Sequence, residues 1–460
     1  MRRLLLPLLA AASVSCATAN PADSARAAAE LARSRGAAEA RWTADAEGVD
    51  ALRQRTRQLL AAPLTPESAA EIALLNEPGL RATLERVGIG QAELAQASRL
   101  SNLSISASWL GEEGGPGEKT TLHVGLDILD WLVTPLRKQF AEAELERVKL
   151  EVGQAILDAA AEAKAALVRY QAAEQTASRL ETIERIESAA AEFTQKLQEA
   201  GNASALHLTN ARASWAQARA DLAQARLEAI RRREEVQRAL GLTGPETQWT
   251  TPTELPPPPE TEQMPQALET LAIERRLDLA AARWAVDSVG RALSLKKGTR
   301  FFPVGLEVGV ETEKEIDGTR VTGPAIALQL PIFDTGAASV ARLEAEHRRV
   351  RWQLEALAVE IRSRVREQRA AVQGSRDLAM FYRDVILPLR GEAMDLTLRH
   401  YNMMLMGTYD VLFARQREID AQRRQVEALR DYWLARLELE RAVGGSLEAA
   451  HRGAERETTP

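Results

Sequence analysis

The run from Thr134 to Ala200 holds no proline after Pro135 and a single interior glycine, Gly153. Proline and glycine are the residues that end helices, so the run predicts one helix on the order of 100 Å long. Apolar or small residues recur at Leu145, Val148, Val152, Ile156, Ala159, Ala163, Leu167 and Tyr170. Their steps alternate between three and four in an eleven-residue pattern, which follows a nearly straight seam rather than a tight left-handed coil. A seam of that length needs partner helices along all of it. A second run, Ala337 to about Leu405, repeats the pattern, and Pro388 is expected to kink or offset it. Aromatic residues make up only 4% of the chain. Alanine and leucine, mixed with Arg, Glu and Gln, fill the helices instead.

The chain reads as two halves. Ala69 to Leu80 opens the first, and Leu268 to Leu279 opens the second. Each opening is followed by a helix, two strand-like runs, a very long helix and a last helix, ending at Leu240-Gly241 or Val443-Gly444. The expected division is an export signal at 1–19, a peripheral segment at 20–64, a first repeat at 65–242, a proline-rich linker at 243–265, a second repeat at 266–445 and a tail at 446–460. Pro252 and Pro256 to Pro259 mark the linker.

Four short runs alternate with period two. They are Leu103 to Trp109, Leu122 to Ile128, Val304 to Val310, and Ile326 to Leu330. Each has one apolar face and one polar or small face, over about nine residues, the span of a tilted strand across a bilayer. Charged, glycine-rich loops, Gly111 to Lys119 and Glu313 to Gly323, join each pair. Four strands cannot close a membrane barrel, and lipid tolerates no open sheet edge. The runs therefore form either a soluble sheet or one part of a barrel pooled from several chains.

The N-terminus carries Arg2 and Arg3, an apolar run from Leu4 to Ala12, and small residues before Cys16. This is the layout of a bacterial export signal. Cys16 stands where lipid would be attached, while Ala17-Thr18-Ala19 offers an ordinary cleavage site. Beyond the signal no apolar stretch reaches ~18 residues, so no membrane-spanning helix is expected. The net charge is −6 and charges are interspersed, which argues against a nucleic-acid partner. His123, His207, His347, His400 and His451 are scattered, and no nucleophile elbow or phosphate loop occurs. Neither catalysis nor a cofactor is expected.

The paired openings resemble the TolC-type outer-membrane efflux protein family. So do LQLPIFDTG at Leu328 to Gly336, YNMMLMGTYDVL at Tyr401 to Leu412, and the first-half counterpart Gly201 to Leu208. The resemblance covers Leu64 to Gly445. It implies a mainly α fold with a β-barrel part: a homotrimer pooling twelve strands in the outer membrane and twelve helices in a periplasmic tube. It also implies a passive export duct, closed at its tip until a periplasmic membrane-fusion adaptor and an inner-membrane efflux pump engage it. The family often has glycine where Met404 stands, whereas the first half keeps Gly201. The aperture carboxylate matches Asp410, with His207 as its first-half counterpart and Phe413 in place of a second acid.

The gate residues implied are Asp410, Tyr401, Met404, Gly407, His207, Gly201 and Arg415. A three-fold ring of Asp410 would repel itself or hold a cation. The simpler reading is a solvated aspartate capping the helix near Gly407. Met403, Met404 and Met406 are soft thioether ligands suited to monovalent copper, though methionine more often fills irregular helix contacts. A lipid-anchored periplasmic coiled-coil scaffold without a pore is the rival reading. It would leave the four alternating runs without a use.

Overall fold

A computed structural model describes residues 21–38, 40, 46–111, 118–262, 264–265, 267–300, 305–328 and 335–448. Cys16, the export signal, Val304, Gln329 to Asp334 and the far C-terminus lie outside the described residues. Helices α1 (Pro21–Arg33), α2 (Ala46–Leu60), α3 (Pro66–Asn76) and α4 (Pro78–Ala97) precede strands β1 (Ser104–Gly111) and β2 (Glu118–Asp127). Then come α5 (Ile128–Glu199) and α6 (Ala205–Leu240). The same order follows again in α7 (Leu268–Arg275), α8 (Leu277–Thr299), β3 (Leu306–Lys314), β4 (Arg320–Leu328), α9 (Ala337–Phe381), α10 (Leu387–Asn402) and α11 (Thr408–Val443). The chain forms two compact units, one from residues 1–27, 84–152 and 278–357, the other from the remainder.

Helix α5 starts six residues before the expected Thr134. The Asp127 carboxylate accepts the N–H groups of Leu129 (3.0 Å) and Asp130 (3.4 Å), which caps a helix directly at the end of β2. Pro135 thus lies inside α5. Of the predicted seam, Leu145, Val148, Val152, Ile156, Ala163, Leu167 and Tyr170 are buried, and Ala159 is half-buried. The second long run breaks ahead of Pro388. Tyr382–Ile386 forms a π-helical turn in which the Leu387 N–H bonds to the Tyr382 carbonyl five residues back. The wider turn takes up the disruption that a proline, lacking an N–H, brings to an α-helix.

The first unit holds one sheet of order β1-β2-β3-β4, antiparallel throughout. Ile105 pairs with Val124, Val124 with Val310, and Val310 with Pro324. Pro324 has no N–H to donate and is tolerated on an outer strand. The strands reach into the predicted second loop, so Glu313 to Gly323 is a correction. Only 315–319 turns, closed by Glu315 N–H to Thr319 O at 2.8 Å, with Gly318 at φ +84°. The charged side chains there had read as loop, but they stand on strands.

In the second unit, Leu64, Ile72, Leu167, Val236 and Leu240 are fully buried around Ala69, Ala73, Ala163 and Ala166, whose small side chains let the helices approach closely. Tyr170 and Trp249 meet edge to face at 5.1 Å. The Arg233 guanidinium lies 4.2 Å from the Trp249 ring and donates to the carbonyls of Thr247 and Trp249. The proline-rich segment is pinned further along. The Trp433 indole donates to Pro256 O (2.9 Å) and Arg376 to Pro259 O (3.1 Å). Glu262 accepts from Tyr432 (2.5 Å) and pairs with Arg436 (3.0 Å). Burial, and then the Glu262 carboxylate, push the Tyr432 phenol up to about 12.

Candidate membrane face and gating tip

The alternation of the four strands sorts their side chains onto two faces. Ile105, Trp109, Leu122, Val308, Val310, Ile326 and Leu328 share one face, and every one of them is exposed. A monomeric soluble protein rarely exposes so continuous an apolar surface. The other face is polar. His123 Nε2 lies 3.1 Å from Glu307 Oε1, Ser104 Oγ donates to Glu307, and Lys119 pairs with Glu313. Gly125 and Gly309 pair in register beside them. A Cβ at Gly125 would collide with Glu307 and His123, and one at Gly309 with the Val124 carbonyl.

The second unit ends in two tight turns with the same backbone. Between α5 and α6, Gly201 N–H donates to Gln198 O (3.0 Å) and Asn202 N–H to Leu197 O (2.7 Å). Between α10 and α11, Met404 N–H donates to Tyr401 O and Leu405 N–H to His400 O, both at 2.9 Å. This helix ending places one residue in the left-handed region, where glycine fits without a Cβ clash. Gly201 has φ +76°. Met404 has φ +60° and is the non-glycine residue with positive φ among the described residues. Gly201, Ser204 and His207 therefore hold the places of Met404, Gly407 and Asp410.

The caps differ. Ser204 Oγ accepts from the His207 N–H at 3.3 Å. Gly407 has no side chain, and the Asp410 carboxylate instead accepts from the Gly407 N–H at 2.8 Å. A full capping box makes both bonds. Here each turn keeps one of them.

Near the turns a hydrogen bond ties the two hairpins. Tyr409 OH lies 2.7 Å from Thr194 Oγ1. Thr194 is fully buried and donates to Ala190 O at 2.8 Å, so the tyrosine hydroxyl is the donor. The His207 ring sits 6.2 Å from the Tyr409 ring. Arg415 pairs within its own helix with Glu418 at 2.6 Å. Tyr401 and Met404 are exposed, and Met403 and Met406 flank them, also exposed.

The hairpins are unequally packed. Ala190, Ala191, Leu208 and Ala211 are buried near the first turn. Helix α10 buries no residue, and Ile419 is the first buried residue of α11. Between α5, α6 and α11 runs a groove lined by Glu187, Asp221, Asp420 and Arg423. Burial pushes the Glu187 carboxyl above its ordinary range.

Sequence reasoning named neither Thr194 nor Tyr409. Tyr409 adjoins Asp410 inside the quoted motif, but nothing local marks Thr194 as its partner. His123 and Glu307 were equally invisible as a pair, since their meeting depends on strand register.

The described residues thus form a four-stranded sheet with an exposed apolar face and two helical hairpins of repeated order. Residues 69–242 match the sequence model of the family described as Outer membrane efflux protein. Among solved structures, the Campylobacter jejuni CmeC outer membrane channel aligns with TM-score 0.71 at 13% identity, over 94% of this chain and 95% of that one. CusC, whose structures concern folding and transmembrane channel formation, aligns with TM-score 0.68 at 18% identity, over 83% and 92%. The open state of the Neisseria gonorrhoeae MtrE outer membrane channel aligns with TM-score 0.68 at 18% identity, over 83% and 89%. No curated protein sequence matches the chain. The fold is that of the outer-membrane efflux channels, and the first half carries that family's sequence pattern.

Proposed function

We propose that the chain is one protomer of a homotrimeric exit duct in the outer membrane, a passive conduit for an efflux or export system. The observation that carries this reading is the apolar face of the sheet, exposed on all four strands. Strands β1 and β4 are outer strands with no further strand beside them among the described residues. Such a sheet is stable in lipid only when its edges are closed. Three copies supply twelve strands, and the two halves, 65–242 and 266–445, contribute two strands and one hairpin each. The His123–Glu307 face lines the lumen. A scaffold without a pore has no use for this apolar face.

The duct is closed at the two turns and opened by a periplasmic membrane-fusion adaptor acting with an inner-membrane efflux pump. The more loosely packed α10–α11 hairpin moves, and the Tyr409–Thr194 bond holds it against α5. The Asp410 ring, with Gly407, Tyr401, Arg415 and His207 around it, sets the charge of the aperture. Cys16 is the site of lipid attachment.

Single-channel recording of the purified protein in planar bilayers tests the reading. Discrete conductance steps are expected, widened by Asp410→Ala. Folded trimers that never conduct would return the chain to the scaffold class.

A further inference from the structure

The turn between α10 and α11 concentrates three of the chain's seven methionines into four residues, Met403, Met404 and Met406. The matching positions in the first turn are Ala200, Gly201 and Ala203, and the backbone hydrogen bonds are the same. The turn itself therefore needs no long apolar side chain. Packing within the chain does not account for them either, since the three are 66%, 94% and 39% exposed. Met404 in addition takes a left-handed backbone that disfavours any side chain, at the place where the other turn has glycine.

We infer that this turn binds a soft monovalent cation, Cu(I) or Ag(I), through the thioether sulfurs of Met403, Met404 and Met406. Thioether sulfur is a soft donor that prefers such ions to Zn(II) or Mg(II). The bond from Leu405 N–H to His400 O closes the turn, and the three Cα atoms lie within roughly 11 Å of chain. Each sulfur sits near the end of a flexible, unbranched side chain, so the three can turn toward one ion. One oxygen of the Asp410 carboxylate nearby is engaged by the Gly407 N–H, and the three thioethers supply the soft donors of the turn. The site is complete within one chain and does not depend on the chain being a duct.

The test is a Cu(I) titration of the full chain in detergent, under reductant, against the chromophoric chelator bicinchoninate. Any Cys16 thiol that carries no lipid is alkylated beforehand so that it does not compete. The expected result is one Cu(I) withheld per chain, at least tenfold weaker in the triple variant Met403→Leu, Met404→Leu, Met406→Leu, with Zn(II) not retained by either. Leucine keeps the apolar surface and removes only the sulfur, so a mere docking patch is indifferent to the exchange. Circular dichroism checks that the variant folds, and single Met404→Leu and Met406→Leu changes serve if it does not. A wild-type chain that withholds no Cu(I), or variants that withhold it equally, overturns the site. Bilayer conductance is read separately, so a conducting chain without Cu(I) affinity sinks this inference alone.

Discussion

The Tyr409 hydroxyl donates to Thr194 Oγ1 at 2.7 Å, joining the first turn of α11 to the last turns of α5. Tyr409→Phe removes the donor and keeps the ring beside His207. One neutral hydrogen bond contributes about 0.5–1.5 kcal/mol, enough to shift a two-state gate several-fold. The variant is expected to open more often in bilayers with unchanged helicity. Channels that gate like the wild type would remove this bond from the gate.

The divided capping box predicts a gain. Gly407 has extended backbone (φ −88°, ψ 167°), and a Cβ there would sit 3.6 Å from the nearest Asp410 oxygen, an ordinary contact. Gly407→Ser supplies the missing half of the box and should stabilise the start of α11 by a few tenths to about 1 kcal/mol. Chemical denaturation measures it. Ser204→Ala should cost about 1 kcal/mol in the other turn.

Met404→Gly relieves the left-handed strain and should stabilise the folded chain by about 1 kcal/mol, read from the denaturation midpoint. A β-branched residue there should do the reverse, because its Cβ substituents clash at positive φ.

Glu187 predicts a pH dependence. Burial raises its folded pKa above the ordinary carboxylate value. The folded state therefore holds this proton more tightly than the unfolded chain. The associated stability is present below the unfolded pKa and is lost as pH rises through the folded one. Glu187→Gln cannot ionise, so its melting temperature should exceed wild type at pH 7 and converge with it as the buffer is taken below pH 4. Equal melting temperatures at both pH values would show that the carboxylate is fully solvated.

Much of the architecture was legible because helix breakers are scarce and strand alternation is regular. The seam from Leu145 to Tyr170 is buried apart from the half-buried Ala159. Where the reading missed, a local feature carried the answer. Asp127 ends a strand and caps a helix at once, so the start of α5 hid inside a strand pattern. Pro388 announced an interruption but not its form, because the π turn lies wholly before it. Glu313, Lys314 and Arg320 looked like loop, but each stands at a paired strand position. The tip was legible only as a backbone motif. Thr194 and Tyr409 are far apart in sequence, and no spacing rule links a buried threonine to an exposed tyrosine. The prolines of the linker signalled extended chain, but not the Trp433 and Arg376 donors that hold it.

Under the trimeric duct proposed above, the four strands described in one chain cannot close in a bilayer alone. Until its neighbours arrive it carries two raw edges and an apolar face in water, the state most prone to pairing with the wrong strand. On that proposal insertion waits on encounter among copies, and its rate should climb steeply with the concentration of chain. Helical surfaces that associate first would raise the effective concentration of the strands for one another. The proposed duct would then assemble in the aqueous compartment first and enter the membrane last.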